Sequence, residues 1–443
     1  MRIVGLTRES LWTDETFSAY ATMFASPAEV LDYARSDVHP PGYYLALWGW
    51  AKVFGNGEFT LRLFSAIGGV LLLPIVFRIG RQLFTVRTGL VAALFAAFLI
   101  QSIYFSQEVR AYSWMATLSA LAVTLAIDWR NDGGAFRILL LAITTIVLAY
   151  FHYFGLMFSA LVWTTLLIIP ARGDSKLPVV GGAAAFVLVF LPWLPIAVAQ
   201  RSRDNWIPAP DMRYIAELFN VYFGPGLPVD AWFAVILACG VALATKRGGV
   251  NWKSRENFLL IWIIAPLVVA LTFSMLIRPV YSPRNMLIGS GAAIILLARS
   301  VEEIGNRFRN LWLPALGVLI GAYAIHFATG KGYLLKPIKQ QIREASQYAL
   351  DRNKNLPVYT VSWDRMNFAY YYNLSGRDDE LKVVDLLAIE NRGLAAAVPE
   401  REFWILSAGI DINRIDNLPR DFEVIDSGEY IAAHAYRLRR KQP

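Results

Sequence analysis

Ten apolar stretches, nearly free of charge, dominate residues 59 to 328 and leave a chain like this few ways to fold. A helix needs about 20 apolar residues to cross roughly 30 Å of hydrocarbon. Inside lipid every backbone polar group must find a partner within the protein, and a helix provides one for each. The stretches lie at about 59–79, 88–105, 112–128, 136–151, 154–170, 178–199, 229–245, 257–277, 285–299 and 311–328. The run 136–170 is too long for a single crossing. His152-Tyr153-Phe154-Gly155 offers amphipathic side chains and a glycine for a tight return, so the run divides there. Only 17% of residues are charged, against roughly 25% in soluble domains. The expectation is a polytopic α-helical membrane protein. The lone Cys239 excludes an intramolecular disulfide and a cysteine-based zinc site.

The net charge of +8 sits largely in short loops. The positive-inside rule accounts for it there, and a nucleic-acid partner is not expected. One set of loops carries fourteen Lys and Arg, among them Arg78, Arg81, Arg130, Arg137 and Arg299; the opposite set carries six, including Arg110, Arg201, Arg278 and Arg284. This places the first set in the cytoplasm. Asp14, His39, Glu108, the His152 turn and Arg284 then face outside a cytoplasmic (inner) membrane, as does everything after residue 330. Segment 40–55, PPGYYLALWGWAKVFG, is short and rich in Trp and Tyr and reads as a helix lying in the interface. About 58 residues precede the first clear span and no h-region begins the chain. An upstream helix that threads them across is expected; unaided passage of a short tail is the alternative.

Two domains follow. Residues 1–330 form the transmembrane domain, opening with an outward loop over 1–58. Residues 331–443 are more charged and lack long apolar runs. A helix is expected over Lys336–Asn353, and strands over Val358–Trp363, Leu381–Leu387, Glu402–Ser407 and Phe422–Asp426, with Tyr430–Leu438 as a further one. That alternation reads as a small α/β layer outside the membrane.

Three polar segments carry the candidate chemistry: Leu11-Trp12-Thr13-Asp14-Glu15-Thr16, Asp37-Val38-His39-Pro40-Pro41-Gly42-Tyr43-Tyr44 and Ser106-Gln107-Glu108-Val109-Arg110-Ala111-Tyr112-Ser113. Carboxylates held at a bilayer are costly unless they have a use. Asp14 and Glu15 read as a general base and its neighbour, or as the N-cap of a helix starting near Glu15, a role open to Thr13 or Asp14. Glu108 reads as a second acidic arm and Arg110 as a cation for phosphate, or the two as an exposed ion pair. Asp37 and His39 read as site residues, or as part of a rigid turn made by the two prolines. Arg284, with Tyr281 near it, reads as a phosphate clamp or a snorkelling side chain. His152 reads as a wall of the cavity or as an interface residue, and His326 and His434 as structural. No two of the four histidines show metal-ligand spacing. If a divalent ion takes part, Asp14, Glu108 and His39 are the residues at hand.

In order, Leu-Trp-x-Asp-Glu, His-Pro-Pro-x-Tyr-Tyr, Phe59-x-x-Arg62-Leu63-x-Ser65-Ala66 and Ser-Gln-Glu-x-Arg-x-Tyr-Ser resemble the GT-C membrane glycosyltransferases. The similarity is to the protein O-mannosyltransferase-like and aminoarabinose-transferase-like, family-39-type branch. It is clear over about residues 11–170 and looser to 330. It implies a polyprenyl-phosphate sugar donor and an acceptor offered by a lipid, glycan or protein. The family's loop aspartate falls on Asp14, its neighbour on Glu15, its second acidic arm on Glu108 and its turn histidine on His39. The lysine found in that turn in the aminoarabinose branch is absent, so that branch's sugar and acceptor do not transfer.

The expected chemistry is one displacement. Asp14 draws the proton from the acceptor hydroxyl as it attacks the anomeric carbon, Arg110 or Arg284 stabilises the departing lipid phosphate, and the sugar inverts. Asp37, His39, Tyr112, His152 and Tyr281 complete the binding surface. An O-antigen polymerase or ligase would carry a large outer loop between late spans. A transporter of lipid-linked sugars would carry charges within spans and internal repeats. Here the acidic loop comes first and the spans are nearly charge-free.

Overall fold

The structure is a computed structural model that describes residues 2–168, 176–201, 207–223, 255–307, 337–353, 355–385, 387–389, 393–409 and 421–441, with the single positions 317 and 321. The chain divides into two compact units. One holds Met1–Val4, Leu31–Tyr43 and Phe64–Thr329; the other holds Gly5–Val30, Tyr44–Leu63 and Gly330–Pro443.

The first unit is helical. In chain order the helices that shape it are α4 (Glu58–Leu83), which begins in the other unit, α5 (Val86–Phe98), α6 (Ile100–Tyr104), α7 (Tyr112–Asp132), α8 (Ala135–Phe151), α9 (Tyr153–Ile168), α10 (Leu177–Phe190), α11 (Leu194–Gln200), α12 (Met212–Phe223), α13 (Arg255–Leu276) and α14 (Ser290–Arg307). Before α4 lie α1 (Thr13–Tyr20), α2 (Pro27–Ser36) and α3 (Gly42–Phe54). By length and apolarity, three described helices suit a membrane crossing: Glu58–Leu83, Leu177–Gln200 and Arg255–Leu276. A fourth counts if α5 and the segment Ile100–Gln107 are taken as one span bent by 61°.

The sequence expects more spans, and the differences have local causes. The 88–105 stretch breaks at Leu99, whose ψ of 123° leaves the helical region. A break in an apolar helix frees carbonyls that lipid cannot satisfy. Arg2 takes them: its guanidinium donates to the carbonyls of Ala96 and Ala97 and, at 3.1 Å, to the Ser106 hydroxyl. The 285–299 stretch is a 3-10 turn over Pro283–Gly289 followed by α14. The 136–170 run divides at His152, which is extended between α8 and α9 of 17 and 16 residues. Gly155 is needed at that return, because a Cβ there would overlap the Leu148 carbonyl oxygen. Expected span 229–245 and, apart from positions 317 and 321, expected span 311–328 lie outside the described residues.

Helix α7 is fastened to α4 by side-chain donors that reach α4 carbonyls. Ser113 Oγ donates to Ser65 O at 2.7 Å, Trp114 Nε1 to Phe64 O at 3.0 Å and Thr117 Oγ1 to Gly68 O at 2.6 Å. At the far end Asp128 accepts from Arg78 at 2.8 Å and Gln82 at 2.6 Å. The start of α7, which carries Tyr112, is thereby held firmly.

The second unit is built on a five-stranded sheet of order β2-β1-β3-β5-β4. Its strands are β1 (Val358–Val361), β2 (Leu381–Val384), β3 (Glu402–Ala408), β4 (Phe422–Tyr430) and β5 (Ala433–Arg440). Strand β1 pairs in parallel with β2 and β3, and β5 runs antiparallel to β3 and β4. Val361, Val384, Phe403, Ile405, Phe422 and Leu438 are among the buried side chains of its core. Helices α15 (Ile342–Arg352) and α16 (Arg365–Leu374) accompany the sheet. This is the small α/β layer expected from the sequence, with the first helix starting later than Lys336.

Candidate active site

Within the helical unit one cluster gathers six of the expected binding residues. His39 Nδ1 lies 3.1 Å from Asp37 Oδ2, and an Arg110 Nη lies 3.2 Å from His39 Nε2. A guanidinium only donates. Nε2 of His39 therefore accepts, the ring proton sits on Nδ1, and Asp37 receives it. The order Asp37, His39, Arg110 orients the guanidinium through a histidine whose tautomer the network assigns.

Arg110 and Arg284 both place their guanidinium carbons 5.9 Å from the ring centroid of Tyr112, within cation–π reach. His152 completes the group, its ring 5.4 Å from that of His39 and 6.1 Å from that of Tyr112. The Phe154 amide donates to His152 Nδ1 at 3.2 Å. Burial holds the His152 imidazole well below the usual histidine range, and the Arg110 and Arg284 guanidiniums press it the same way. It is a neutral ring whose proton lies on Nε2. Two cations and a neutral N–H donor around one aromatic ring form a receptor suited to phosphate oxygens.

Glu108 is buried at the start of the Arg110 turn, where its carbonyl accepts the Arg110 amide at 2.7 Å. It is not the exposed ion-pair partner that a surface loop would show. Tyr281 is fully buried, with its ring against Tyr214 at 5.4 Å and its amide donating to Ser274 Oγ at 2.8 Å. These contacts tie Tyr281 to α12 and α13.

The acidic pair lies in the second unit. Helix α1 starts at Thr13, with Trp12 at the N-cap position making no side-chain cap. Asp14 therefore sits in the first turn, not at the N-cap position. Glu15 is fully buried. Arg62 of α4 donates to both its oxygens, at 2.9 and 2.7 Å, and Lys339 donates at 3.1 Å. The remaining Arg62 donors go to the carbonyls of Leu6, Glu9 and Ser10 at 2.6, 2.6 and 3.0 Å. The sequence groups Glu15 with the catalytic carboxylates; the structure engages both its oxygens with cations and makes it a clamp between α1 and α4.

Sequence reasoning names Arg62 only within a motif and gives it no role, and it passes over Lys339, Gln340 and Asn367. Arg62 had a signal, a cation at the head of an apolar span. The other three had none. Among the described residues no group of three or more His, Cys, Asp or Glu converges to hold a metal ion. Arg110 facing Nε2 of His39 opposes a cation at that ring.

Over residues 38–196 the chain matches the family model described as dolichyl-phosphate-mannose-protein mannosyltransferase. His39, Arg110, Tyr112 and His152 fall inside that stretch. The fold is similar to the crystal structure of ArnT from Cupriavidus metallidurans in the apo state, at 13% identity, covering 98% of this chain and 95% of that one, with a TM-score of 0.64. The structure of the same protein bound to undecaprenyl phosphate matches over the same shares, at 13% identity and a TM-score of 0.63. No curated protein matches the chain by sequence.

Proposed function

We propose that this chain, a membrane glycosyltransferase of the GT-C fold, moves a sugar from a polyprenyl-phosphate donor to an acceptor hydroxyl at the outer face of the cytoplasmic membrane. The observation that carries the reading is the pair of guanidiniums, Arg110 and Arg284, on one Tyr112 ring with neutral His152 beside them. A lipid phosphate leaving with an added negative charge needs fixed cations of this kind. The acceptor hydroxyl is offered by a lipid, a glycan or a protein.

In this reading the acceptor oxygen attacks the anomeric carbon and the carbon–oxygen bond to phosphate breaks. The bonding pair leaves on the polyprenyl phosphate, and the acceptor proton passes to Asp14. One displacement inverts the anomeric configuration. Phosphate is a good leaving group, so no general acid is required. Arg110, aimed by His39 and Asp37, and Arg284 receive the phosphate, and the His152 Nε2–H donates to an oxygen of the donor. Glu15 and Arg62 hold α1 in place. Glu108 serves as the second acidic arm, and Tyr281 supports the Arg284 loop.

The test uses purified protein and a synthetic polyprenyl-phosphate sugar. Asn keeps the shape of Asp14 but takes no proton. Asp14→Asn should leave donor binding near normal and cut transfer by about 10²–10⁴-fold, the usual worth of general-base catalysis. Transfer at the wild-type rate would return Asp14 to a structural role.

A further inference from the structure

Helix α1 is short, and Trp12 at its N-cap position makes no side-chain cap. Its cap comes from 327 residues away. Gln340 Oε1 accepts from the Thr13 amide at 2.9 Å and from the Thr13 hydroxyl at 2.6 Å. Thr13 is the residue before Asp14. Nearby, Ser10 Oγ donates to the Gln340 carbonyl at 2.7 Å, and Lys339 reaches Glu15.

A second hold grips α1 one turn on. Thr16 Oγ1 donates to Asn367 Oδ1 at 2.5 Å, and Asn367 Nδ2 reaches Thr13 Oγ1 at 3.2 Å and Asp364 Oδ1 at 3.1 Å. The other Asp364 oxygen accepts the Ala408 amide at 2.8 Å. Thr16, Asn367 and Asp364 have no exposed surface. Asp364 follows β1, and Ala408 ends β3. Strand β1 lies between its parallel neighbours β2 and β3, so this is the point where strand order reverses. Open α/β sheets take their ligands at the carboxyl ends of strands there. In this protein that edge takes hold of α1.

We infer that Gln340 and Asn367 are positioning residues for Asp14, and that the C-terminal α/β layer serves the reaction by fixing the helix that carries the base. The inference rests on Asp14 being that base. A displacement of about 1 Å at a reacting group can cost on the order of 10²-fold in rate. The substitutions are therefore expected to act on kcat and to leave the donor KM alone.

The experiment compares Gln340→Met, which keeps length and loses the acceptor, with Gln340→Glu, which keeps an acceptor oxygen. Rates are divided by the number of sites that bind donor, so loss of folded protein does not count as loss of kcat. Gln340→Met should lower kcat per site by about ten-fold or more with donor KM within about two-fold, and Gln340→Glu should recover most of it. Wild-type kcat per site in Gln340→Met overturns the inference. If Gln340→Met does not fold, Thr16→Val against Thr16→Ser gives the same comparison, since Ser keeps the hydroxyl, and the same result decides. Asp14→Asn is assayed alongside. Inactive Asp14→Asn with unimpaired Gln340→Met sinks the positioning role alone. Active Asp14→Asn sinks the base assignment and this inference with it.

Discussion

Arg110 and His39 meet at 3.2 Å through a guanidinium Nη and Nε2, and that contact sets the protonation of the ring between them and Asp37. The histidine serves as an acceptor that aims a cation. His39→Ala removes the acceptor and should weaken inhibition by free polyprenyl phosphate by roughly ten-fold, the equivalent of one charge-assisted hydrogen bond. Asp37→Asn should cost less, because an amide oxygen still accepts from Nδ1. Arg110→Lys keeps the charge and loses the planar fork, so it should fail to restore full affinity. An unchanged inhibition constant in His39→Ala would count against the phosphate receptor.

The Glu15–Arg62 clamp separates anchoring from chemistry. Arg62→Met takes the two-pronged guanidinium from a buried carboxylate and should destabilise the protein by about 3–5 kcal/mol, read as a fall in melting temperature in detergent. Glu15→Gln should cost less in stability and much less in transfer than Asp14→Asn. Equal loss of transfer in Glu15→Gln and Asp14→Asn, at unchanged stability, would make Glu15 a reacting group.

Burial pushes the Asp364 carboxyl up to about 7, against the opposing pull of the Ala408 amide and Asn367. Its unfolded value is 3.8. Between these values the unfolded chain has released its proton and the folded chain retains it, so stability falls as pH rises. The slope approaches about 1.4 kcal/mol per pH unit, and the loss is complete above about 7. Hydrogen-exchange protection of the β3 amides near Ala408, corrected for intrinsic rates, should decline over that window. Asp364→Asn should flatten the decline; an equally steep decline in the variant would assign it to other groups.

Topology is open to a direct check in a Cys239→Ala background. Ser36 and Asn131 are both exposed. A cysteine at Ser36 should react with a membrane-impermeant thiol reagent in intact cells, and one at Asn131 only after permeabilisation. The reverse pattern would invert the orientation and remove the outer-face reading.

Patterns of period and composition made much of this molecule readable. The turn at His152 and Gly155 and the strands of the sheet each have a local signature: an amphipathic interruption of an apolar run, or a short β-rich stretch. The segments bearing Asp37, His39, Arg110 and Tyr112 stood out because polar groups are expensive beside apolar ones. The break at Leu99 did not stand out, since Leu99 is apolar and Arg2, which takes the freed carbonyls, lies far back in the chain. The role of Glu15 was equally hidden. A carboxylate reads as reactive until its cations are known, and Arg62 and Lys339 lie 47 and 324 residues away.

The bond from Thr13 to Gln340 spans 327 residues, which makes it a matter of timing as well as geometry. A ribosome adding about 5–20 residues per second needs roughly 15–65 s to travel from one to the other. During that interval the nascent chain already has Asp14 and lacks the cap that orders its helix. In the proposed reaction the residue that takes the acceptor proton therefore gains the contact that fixes its helix only after Gln340 has been added to the chain.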